Sequence, residues 1–139
     1  MQNTYIFWPI LVVLLIPIFV LFLNAKRKAN DRAAGISRPE AAIDNTAWSL
    51  PVVLTSNALA NQFQLPVVFY VLAFINFNLD TVNMALLVLC WVFAFTRWVH
   101  AIIHITSNKI SLRVSFFGIG AISLLILFGM TILNLIHAG

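Results

Sequence analysis

The chain lacks most of the features that mark a soluble protein. Only 9% of its 139 residues are charged and 62% are hydrophobic, whereas soluble domains are about a quarter charged and about half apolar. Its one cysteine, Cys90, excludes an intrachain disulfide and a metal site built on several cysteines. No segment has the composition of a separate soluble module, so a single domain over residues 1–139 is expected. The composition indicates an integral membrane protein.

Four hydrophobic runs account for most of the sequence. Each is close to the ~20 residues with which an apolar helix crosses a bilayer. The runs cover about residues 5–24, 51–77, 82–107 and 112–137. The first run has no basic segment before it and is followed by Lys26, Arg27 and Lys28, so we interpret it as a membrane anchor and not as a cleaved signal peptide. The expected fold class is all-α, an integral membrane four-helix bundle in contact with membrane lipid.

The basic residues are distributed unevenly among the connections between these runs. The first connection is rich in Lys and Arg, the third has Lys109 and Arg113 beside it, and the second has none. Because cytoplasmic loops carry an excess of Lys and Arg, loops 25–49 and 108–112 are predicted to face the cytoplasm, with both termini outside. The net charge of +4 follows this topological pattern, so nucleic acid is not an expected partner.

Three ionisable residues lie inside the third hydrophobic run, where burial in a bilayer makes an ionisable group unfavourable in free energy. Arg97, His100 and His104 are spaced i, i+3, i+7, so they share one face of a helix. A central Arg costs about 2.5–3.5 kcal/mol on membrane-insertion scales, and such residues are kept mainly where they face a protein interior or a polar cavity. This face is therefore the first candidate for a functional site.

The second run carries a polar stripe of its own, formed by Asn57, Asn61 and Gln64 at i, i+4, i+7. Counted from the outer connection, these residues lie at depths similar to those of the three ionisable residues of the third run. Two antiparallel helices could then face each other through three polar rungs. The predicted rungs are Gln64–Arg97, Asn61–His100 and Asn57–His104.

Arg97 needs a hydrogen-bond acceptor, yet the second and third runs contain no Asp or Glu. Its partners must be amide oxygens, backbone carbonyls or an anion from outside the chain, and a bound anionic ligand is the favoured interpretation. The alternative for the amides and histidines is structural, because such groups often join membrane helices by hydrogen bonds worth roughly 0.6 kcal/mol each. Pro66 has no N–H and is predicted to bend the second run beside Gln64 and Arg97.

These motifs resemble those of the MAPEG family, the membrane-associated proteins in eicosanoid and glutathione metabolism. Asn61, Gln64 and the nearby Pro66 are similar to the family's Asn-x-x-Glu element in the second span. The segment Arg97-x-x-His100-x-x-x-His104, followed by Arg113, is similar to the family's Arg-x-x-His/Tyr-x-x-x-Tyr segment and its later catalytic Arg. The resemblance covers nearly the whole chain and is closest to the bacterial branches, which implies a bacterial inner membrane.

The resemblance implies a homotrimer that binds glutathione between neighbouring subunits near the cytoplasmic side. It implies that Arg113 activates the thiol, although a basic residue at the start of the fourth span has the alternative interpretation of an interfacial charge. It also implies that four residues of the second and third spans contact glutathione: Asn61, Gln64, Arg97 and His104. Asn57 and His100 complete the polar rungs, so the residues expected to bind glutathione are Asn57, Asn61, Gln64, Arg97, His100 and His104.

The sequence departs from the family pattern at three points. Gln64 stands where the family has Glu, His104 stands where it has Tyr, and no basic residue lies between Thr55 and Leu59. The leading hypothesis is a membrane enzyme of glutathione-transferase or peroxidase type that acts on lipophilic substrates. The alternative is a non-enzymatic binding or transport protein with an anion or lipid site at Arg97, His100 and His104. A structural trimer without an active site is the third interpretation.

Overall fold

The computed structural model describes residues 2–138, which are helical or in short connections throughout. Four helical segments are long and apolar enough to cross a membrane: Asn3–Ala33, Leu50–Asn78, Met84–Ile105 and Ile110–Ala138. They contain the helices α1 (Phe7–Ala33), α2 (Leu50–Ala60), α3 (Leu65–Asn78), α4 (Met84–Ile105) and α5 (Ile110–Ala138). The predicted all-α fold with four membrane spans is thereby confirmed.

Helix α4 lies at the centre of the bundle. It packs along α5 and also contacts α1 and α2, while α3 packs on α5. In the most apolar part of α4, 44% of the residues are buried in the protein, against 28% in the first and fourth spans. The central position explains why this helix can carry a buried polar face.

The second span is interrupted near its middle. Helix α2 ends at Ala60, a single 3₁₀ turn covers Asn61–Phe63, and α3 begins at Leu65 with Pro66 in its first turn. Gln64, between the turn and α3, has φ −104° and ψ −108°, which is outside the helical region. Because Pro66 has no N–H, the Gln62 carbonyl lacks its helical donor. The predicted bend is thus a complete break.

The first connection is more ordered than its composition indicates. Helix α1 continues to Ala33, well beyond the expected end of the span near residue 24, because Ala, Lys and Arg are good helix formers. The Asp31 carboxylate accepts hydrogen bonds from the backbone N–H and the hydroxyl of Ser49, both at 2.9 Å. Arg27 donates to the carbonyl oxygens of Pro51 (2.8 Å) and Ile105 (3.1 Å). These contacts tie the ends of α1, α2 and α4 together.

The opposite end of the bundle is held by a polar network around the buried Asn76. Asn76 is fully buried, and its Nδ2 donates to the Thr131 hydroxyl (2.7 Å) and to the Leu72 carbonyl (2.9 Å). Its Oδ1 accepts from the Thr81 hydroxyl (3.0 Å) and from Asn134 Nδ2 (2.9 Å). Since every polar atom of this amide is paired, its role is structural.

Helices α4 and α5 approach most closely at Gly120, and this contact gives a stability prediction. A Cβ at Gly120 would lie 2.8 Å from the Thr96 hydroxyl oxygen, so Gly120→Ala should destabilise the protein by about 1–3 kcal/mol through overpacking. Thermal unfolding in detergent measures the effect. Gly118→Ala is the matched control, because a Cβ there meets no atom within 4 Å. Equal melting temperatures for the two variants would contradict the prediction.

Candidate functional site

The three ionisable residues of α4 lie on one buried face, as their spacing predicts. Arg97 is 1% exposed, His100 is 4% exposed and His104 is 2% exposed. Their neighbours are the α2 end of the second span and the first two turns of α5, which bring Asn61 and Arg113 to the same place. The face is thus covered by protein and not by lipid.

Arg97 has few partners for a charged group in the interior. Its Nη2 donates a long hydrogen bond of 3.4 Å to the Asn61 carbonyl oxygen, and its guanidinium carbon lies 6.0 Å from the centre of the Phe117 ring. The buried Nε has no hydrogen-bond partner within residues 2–138. The four acidic residues of the chain all lie outside α2, α3, α4 and α5. The guanidinium therefore has unused capacity to bind an anion.

The predicted pairing of the polar rungs is wrong. The Asn61 carbonyl pairs with Arg97, and Asn61 Nδ2 lies 3.3 Å from His104 Nδ1, whereas Asn61 was expected opposite His100. The physical reason is that His100 Nδ1 is already bonded to the backbone carbonyl of Arg113 on α5. Asn61 thus lies level with His100, and both line one cavity, but its hydrogen bonds go to the residues one turn before and one turn after His100.

The two outer members of the stripe do not join this cluster within one chain. Asn57 is exposed, and its Oδ1 accepts a hydrogen bond of 3.2 Å from Asn45 Nδ2 in the first connection. Gln64 is exposed at the break. The rungs Gln64–Arg97 and Asn57–His104 are therefore absent from the described residues.

The hydrogen bond of His100 fixes its tautomer. Its Nδ1 lies 3.0 Å from the backbone carbonyl oxygen of Arg113, and since a carbonyl only accepts, Nδ1 carries the proton. In the neutral ring Nε2 is then a hydrogen-bond acceptor, and this buried atom has no partner in the described part of the chain. His104 and Phe117 flank the imidazole with ring centres 5.9 Å away. His100 thus has an unpaired hydrogen-bond acceptor within the cluster.

Arg113 is held by the connection that precedes it. Its Nη1 donates to Asn108 Oδ1 at 2.6 Å, while its buried Nε has no partner among residues 2–138. Asn108 has φ +49°, a left-handed conformation that Asn tolerates, and its N–H donates to the Ile103 carbonyl at 2.7 Å. One residue therefore both ends α4 with its backbone and positions Arg113 with its side chain.

A cavity of about 340 Å³ lies at this cluster. Its walls are Asn61, His100, Ile110, Arg113, Val114 and Phe117. The cavity combines a guanidinium and an unpaired imidazole acceptor with an aromatic and aliphatic wall, which fits an anionic or acidic group attached to an apolar body. Within residues 2–138, no group of three or more His, Cys, Asp or Glu side chains could hold a metal ion.

Four residues at the cavity and around Arg113 lie outside the predicted set: Asn108, Ile110, Val114 and Phe117. Phe117 lies one helical turn after Arg113, so the helical repeat of α5 was a usable signal for it. Asn108 was detectable as an Asn just after a helical run, the usual position of a left-handed helix cap. Of the predicted site residues, the structure brings five together: Asn61, Arg97, His100, His104 and Arg113.

Fold and cluster together define a class of protein: integral, multi-pass, four-span α-helical membrane proteins with a buried basic site beside one end of the bundle. The family model for the MAPEG family matches residues 5–133, so the chain belongs to the MAPEG family. That family includes glutathione transferases and peroxidases. Searches of curated proteins and of solved structures gave no match.

Proposed function

We propose that this protein is a membrane enzyme of glutathione-transferase or peroxidase type that acts on lipophilic substrates. Family membership supports the reaction class, and the cavity beside His100 and Arg113 supplies a place for the thiol. The observation that carries the proposal is the pair of guanidinium groups, on Arg97 and Arg113, whose buried Nε atoms have no partner within the described residues. No carboxylate on α2 to α5 competes for them.

The proposed chemistry is the stabilisation of a thiolate. A free thiol has a pKa near ~8.5, and a nearby guanidinium favours the charged, nucleophilic form. Each unit by which the pKa falls corresponds to about 1.4 kcal/mol. In the proposal the Arg113 guanidinium contacts the glutathione sulfur, and His100 Nε2 accepts the thiol proton. Both groups line the same cavity, which supports this division of roles.

The proposed glutathione contacts are Asn61, Arg97 and His104, which lie together, and Asn57 and Gln64, which are exposed. An exposed amide at membrane depth, next to a broken helix, is costly against lipid. Cover by a second copy of the chain removes this cost and brings the exposed amides into a shared cleft. We therefore propose a homotrimer with its sites between subunits.

The proposed orientation follows from the basic residues. Both termini lie outside, loops 25–49 and 108–112 face the cytoplasm, and the membrane is the bacterial inner membrane. Five of the chain's eight Lys and Arg residues precede α2, in or just after the cytoplasmic end of α1. With this orientation the cavity lies near the cytoplasmic surface, where a soluble thiol can enter.

The proposal is tested with purified protein reconstituted into liposomes. Calorimetry with glutathione should show binding, and a lipophilic electrophile should be conjugated or reduced in a protein-dependent reaction. No binding at millimolar glutathione together with no turnover would contradict the proposal. Retention of an anionic lipid that is lost in Arg97→Ala would instead favour a non-enzymatic binding protein.

Asn108 supplies a prediction for the positioning of Arg113. Asn108→Gly should keep the left-handed cap of α4 and hence the fold, but it removes the acceptor for Arg113 Nη1. We expect kcat/KM to fall about tenfold, with the activity profile shifted to higher pH because the thiolate is less well stabilised. Melting curves report the fold. An unchanged pH profile would show that Asn108 acts only as a helix cap.

A further inference from the structure

The end of α1 and the connection that follows it carry most of the positive charge of the chain. Five of the eight Lys and Arg residues lie there: Lys26, Arg27, Lys28, Arg32 and Arg38. The same stretch, residues 26–44, has three acidic residues, so it is positive overall. Clusters of about four to eight such cations next to a membrane helix are typical of surfaces that attract anionic lipid headgroups.

Two of these five cations have hydrogen-bond partners in the fold. Arg27 donates to the carbonyl oxygens of Pro51 and Ile105, and Arg38 donates to the Thr46 carbonyl oxygen at 3.0 Å. Their guanidinium groups join segments of the chain. This role accounts for these two charges without any ligand.

Lys28 and Arg32 share one aromatic platform, the ring of Trp48. Lys28 Nζ lies 5.2 Å and the Arg32 guanidinium carbon 5.5 Å from the ring centre, and the two residues are one turn apart on α1. Trp48 is 9% exposed and its Nε1 donates to the Ala41 carbonyl oxygen at 2.9 Å, so the ring is fixed. A contact with a ring face attracts a cation without occupying its N–H donors. Two neighbouring cations are thus positioned with donors for an external anion.

The carboxylates of this stretch bind other groups. Both oxygens of Asp31, which lies between the two cations in the sequence, accept hydrogen bonds from Ser49. Asp44 Oδ1 accepts from the N–H and the hydroxyl of Thr46, at 2.8 and 2.7 Å. The contact that positions Lys28 and Arg32 is therefore an aromatic ring, while these two carboxylates bind N–H and hydroxyl groups.

The pair of cations lies just beyond the hydrocarbon part of the membrane. The first hydrophobic run ends at Asn24, so Lys28 and Arg32 lie roughly 6 and 12 Å further along α1 at about 1.5 Å per residue. The headgroup layer that begins there is about 5–7 Å thick, and long basic side chains extend towards it. A phosphate of the nearest lipid is therefore within reach of both cations.

The connection between α1 and α2 adds exposed apolar groups at the same end of the bundle. Asn45 Nδ2 donates to Asn57 Oδ1, and Asn57 lies two turns inside α2, so the connection folds back along that helix. Ile43, two residues before Asn45, is 94% exposed, and Leu50 is 68% exposed. A basic surface next to exposed aliphatic side chains is typical of segments that lie at a membrane interface. This combination favours a lipid over free inorganic phosphate as the source of the anion.

We propose that Lys28 and Arg32, positioned by Trp48, bind the phosphate of an anionic phospholipid at this end of the bundle. The guanidinium can hold two phosphate oxygens through its planar fork, and the ammonium adds a compact charge. Phosphatidylcholine is a poorer ligand, because its own choline cation is repelled by the same two groups. None of the three residues lines the cavity beside Arg113, so the inference does not depend on the proposed function.

The experiment is native mass spectrometry of protein taken from liposomes with equal amounts of phosphatidylglycerol and phosphatidylcholine of the same acyl chains. We expect the wild type to retain phosphatidylglycerol in preference. A cation near an anionic headgroup contributes about fivefold in affinity, so Lys28→Ala and Arg32→Ala should each lower the ratio of the retained lipids by about that factor, and the double variant by about twentyfold. Lys109→Ala is the matched control, because it removes an exposed cation from a different connection.

Trp48→Leu tests the role of the aromatic platform. It keeps an apolar side chain but removes the ring that both cations contact, so the ratio of the retained lipids should fall although both charges remain. A ratio equal to that of the wild type would show that the ring does not position the cations. Because Trp48 is buried and Arg32 is exposed, the variants of the two cations keep the test informative if Trp48→Leu fails to fold.

The remaining outcomes are equally distinct. An unchanged ratio in the double variant would overturn the inference, and so would an equal fall in Lys109→Ala, which would show a response to net charge alone. Loss of the retained lipid when inorganic phosphate is added would identify a free anion as the ligand and would also overturn it. The measurement involves neither glutathione nor turnover, so this inference and the proposed function can fail separately.

Discussion

Arg113→Ala is expected to lower turnover by about 10²–10³-fold while the four-helix fold persists. Arg113 is half-buried in the first turn of α5, and its side chain makes one hydrogen bond, to Asn108. Loss of that bond costs about 1 kcal/mol of stability, whereas loss of the group that stabilises a developing charge typically lowers the rate by about 10²–10³-fold. Turnover in liposomes and thermal unfolding measure the two effects separately.

Arg113→Lys should recover only part of the activity. An ammonium keeps the charge but lacks the planar fork with which a guanidinium can hold Asn108 and a sulfur at once. Lys109→Ala is the matched control, since Lys109 is an exposed cation in the same connection and lies outside the cavity. If Arg113→Ala behaves like Lys109→Ala in every assay, Arg113 is an interfacial charge and the thiolate mechanism is wrong.

Arg97→Met is expected to weaken glutathione binding by about tenfold to a hundredfold and to stabilise the ligand-free protein. Arg97 is 1% exposed, its Nε is unpaired within the described residues, and no carboxylate of α2 to α5 offsets its charge. Replacing poorly compensated buried charge by an apolar side chain of similar volume is often neutral or stabilising by about 1–4 kcal/mol. A loss of one charged contact weakens binding by about tenfold to a hundredfold.

Comparison with Arg97→Ala distinguishes the effect of losing the charge from the effect of losing side-chain volume. It also removes the charge, but it leaves a void beside Phe117, so a loss of about 2–5 kcal/mol is expected from the cavity. Melting temperatures with and without glutathione, together with calorimetric affinities, measure both variants. If Arg97→Met binds glutathione as tightly as the wild type, Arg97 is not a ligand contact. If Arg97→Met is as unstable as Arg97→Ala, the charge contributes to the fold itself.

The fold was predictable because a membrane span is a property of local composition. About twenty apolar residues in a row suffice to predict each span, and the four runs match the four spans. The end of α1 was not predictable in this way. Hydropathy falls at Lys26, but the helix continues to Ala33 because its backbone needs no apolar surface once it leaves the membrane.

The sequence predicts which site residues share one face of α4, but it does not predict which residues of the neighbouring helices they contact. Spacing alone places Arg97, His100 and His104 on one face, since α4 is unbroken from Met84 to Ile105. The partners across the second span depend on its geometry at Gln64, where the chain leaves the helical conformation, and on the bond of His100 to Arg113. Counting at a constant rise per residue detects neither feature.

The contact between Asn57 and Asn45 could not be predicted from the sequence, for a different reason. Asn45 lies in the first connection, and its position depends on the packing of that connection over α1 and α2. No periodicity relates a residue of a loop to a residue of a helix. The hydrogen bond between Asn108 and Arg113 was likewise not predictable, although the place of Asn108 as a helix cap was.

The most direct test of the thiolate site is the ultraviolet absorbance of the thiolate after glutathione is mixed with the wild-type protein at neutral pH. We expect a rapid, saturable rise in absorbance in the wild type and none in Arg113→Ala, with calorimetry showing that this variant still binds glutathione. Glutathione bound to the wild type without any rise, or an equal rise in Arg113→Ala, would contradict thiol activation by Arg113.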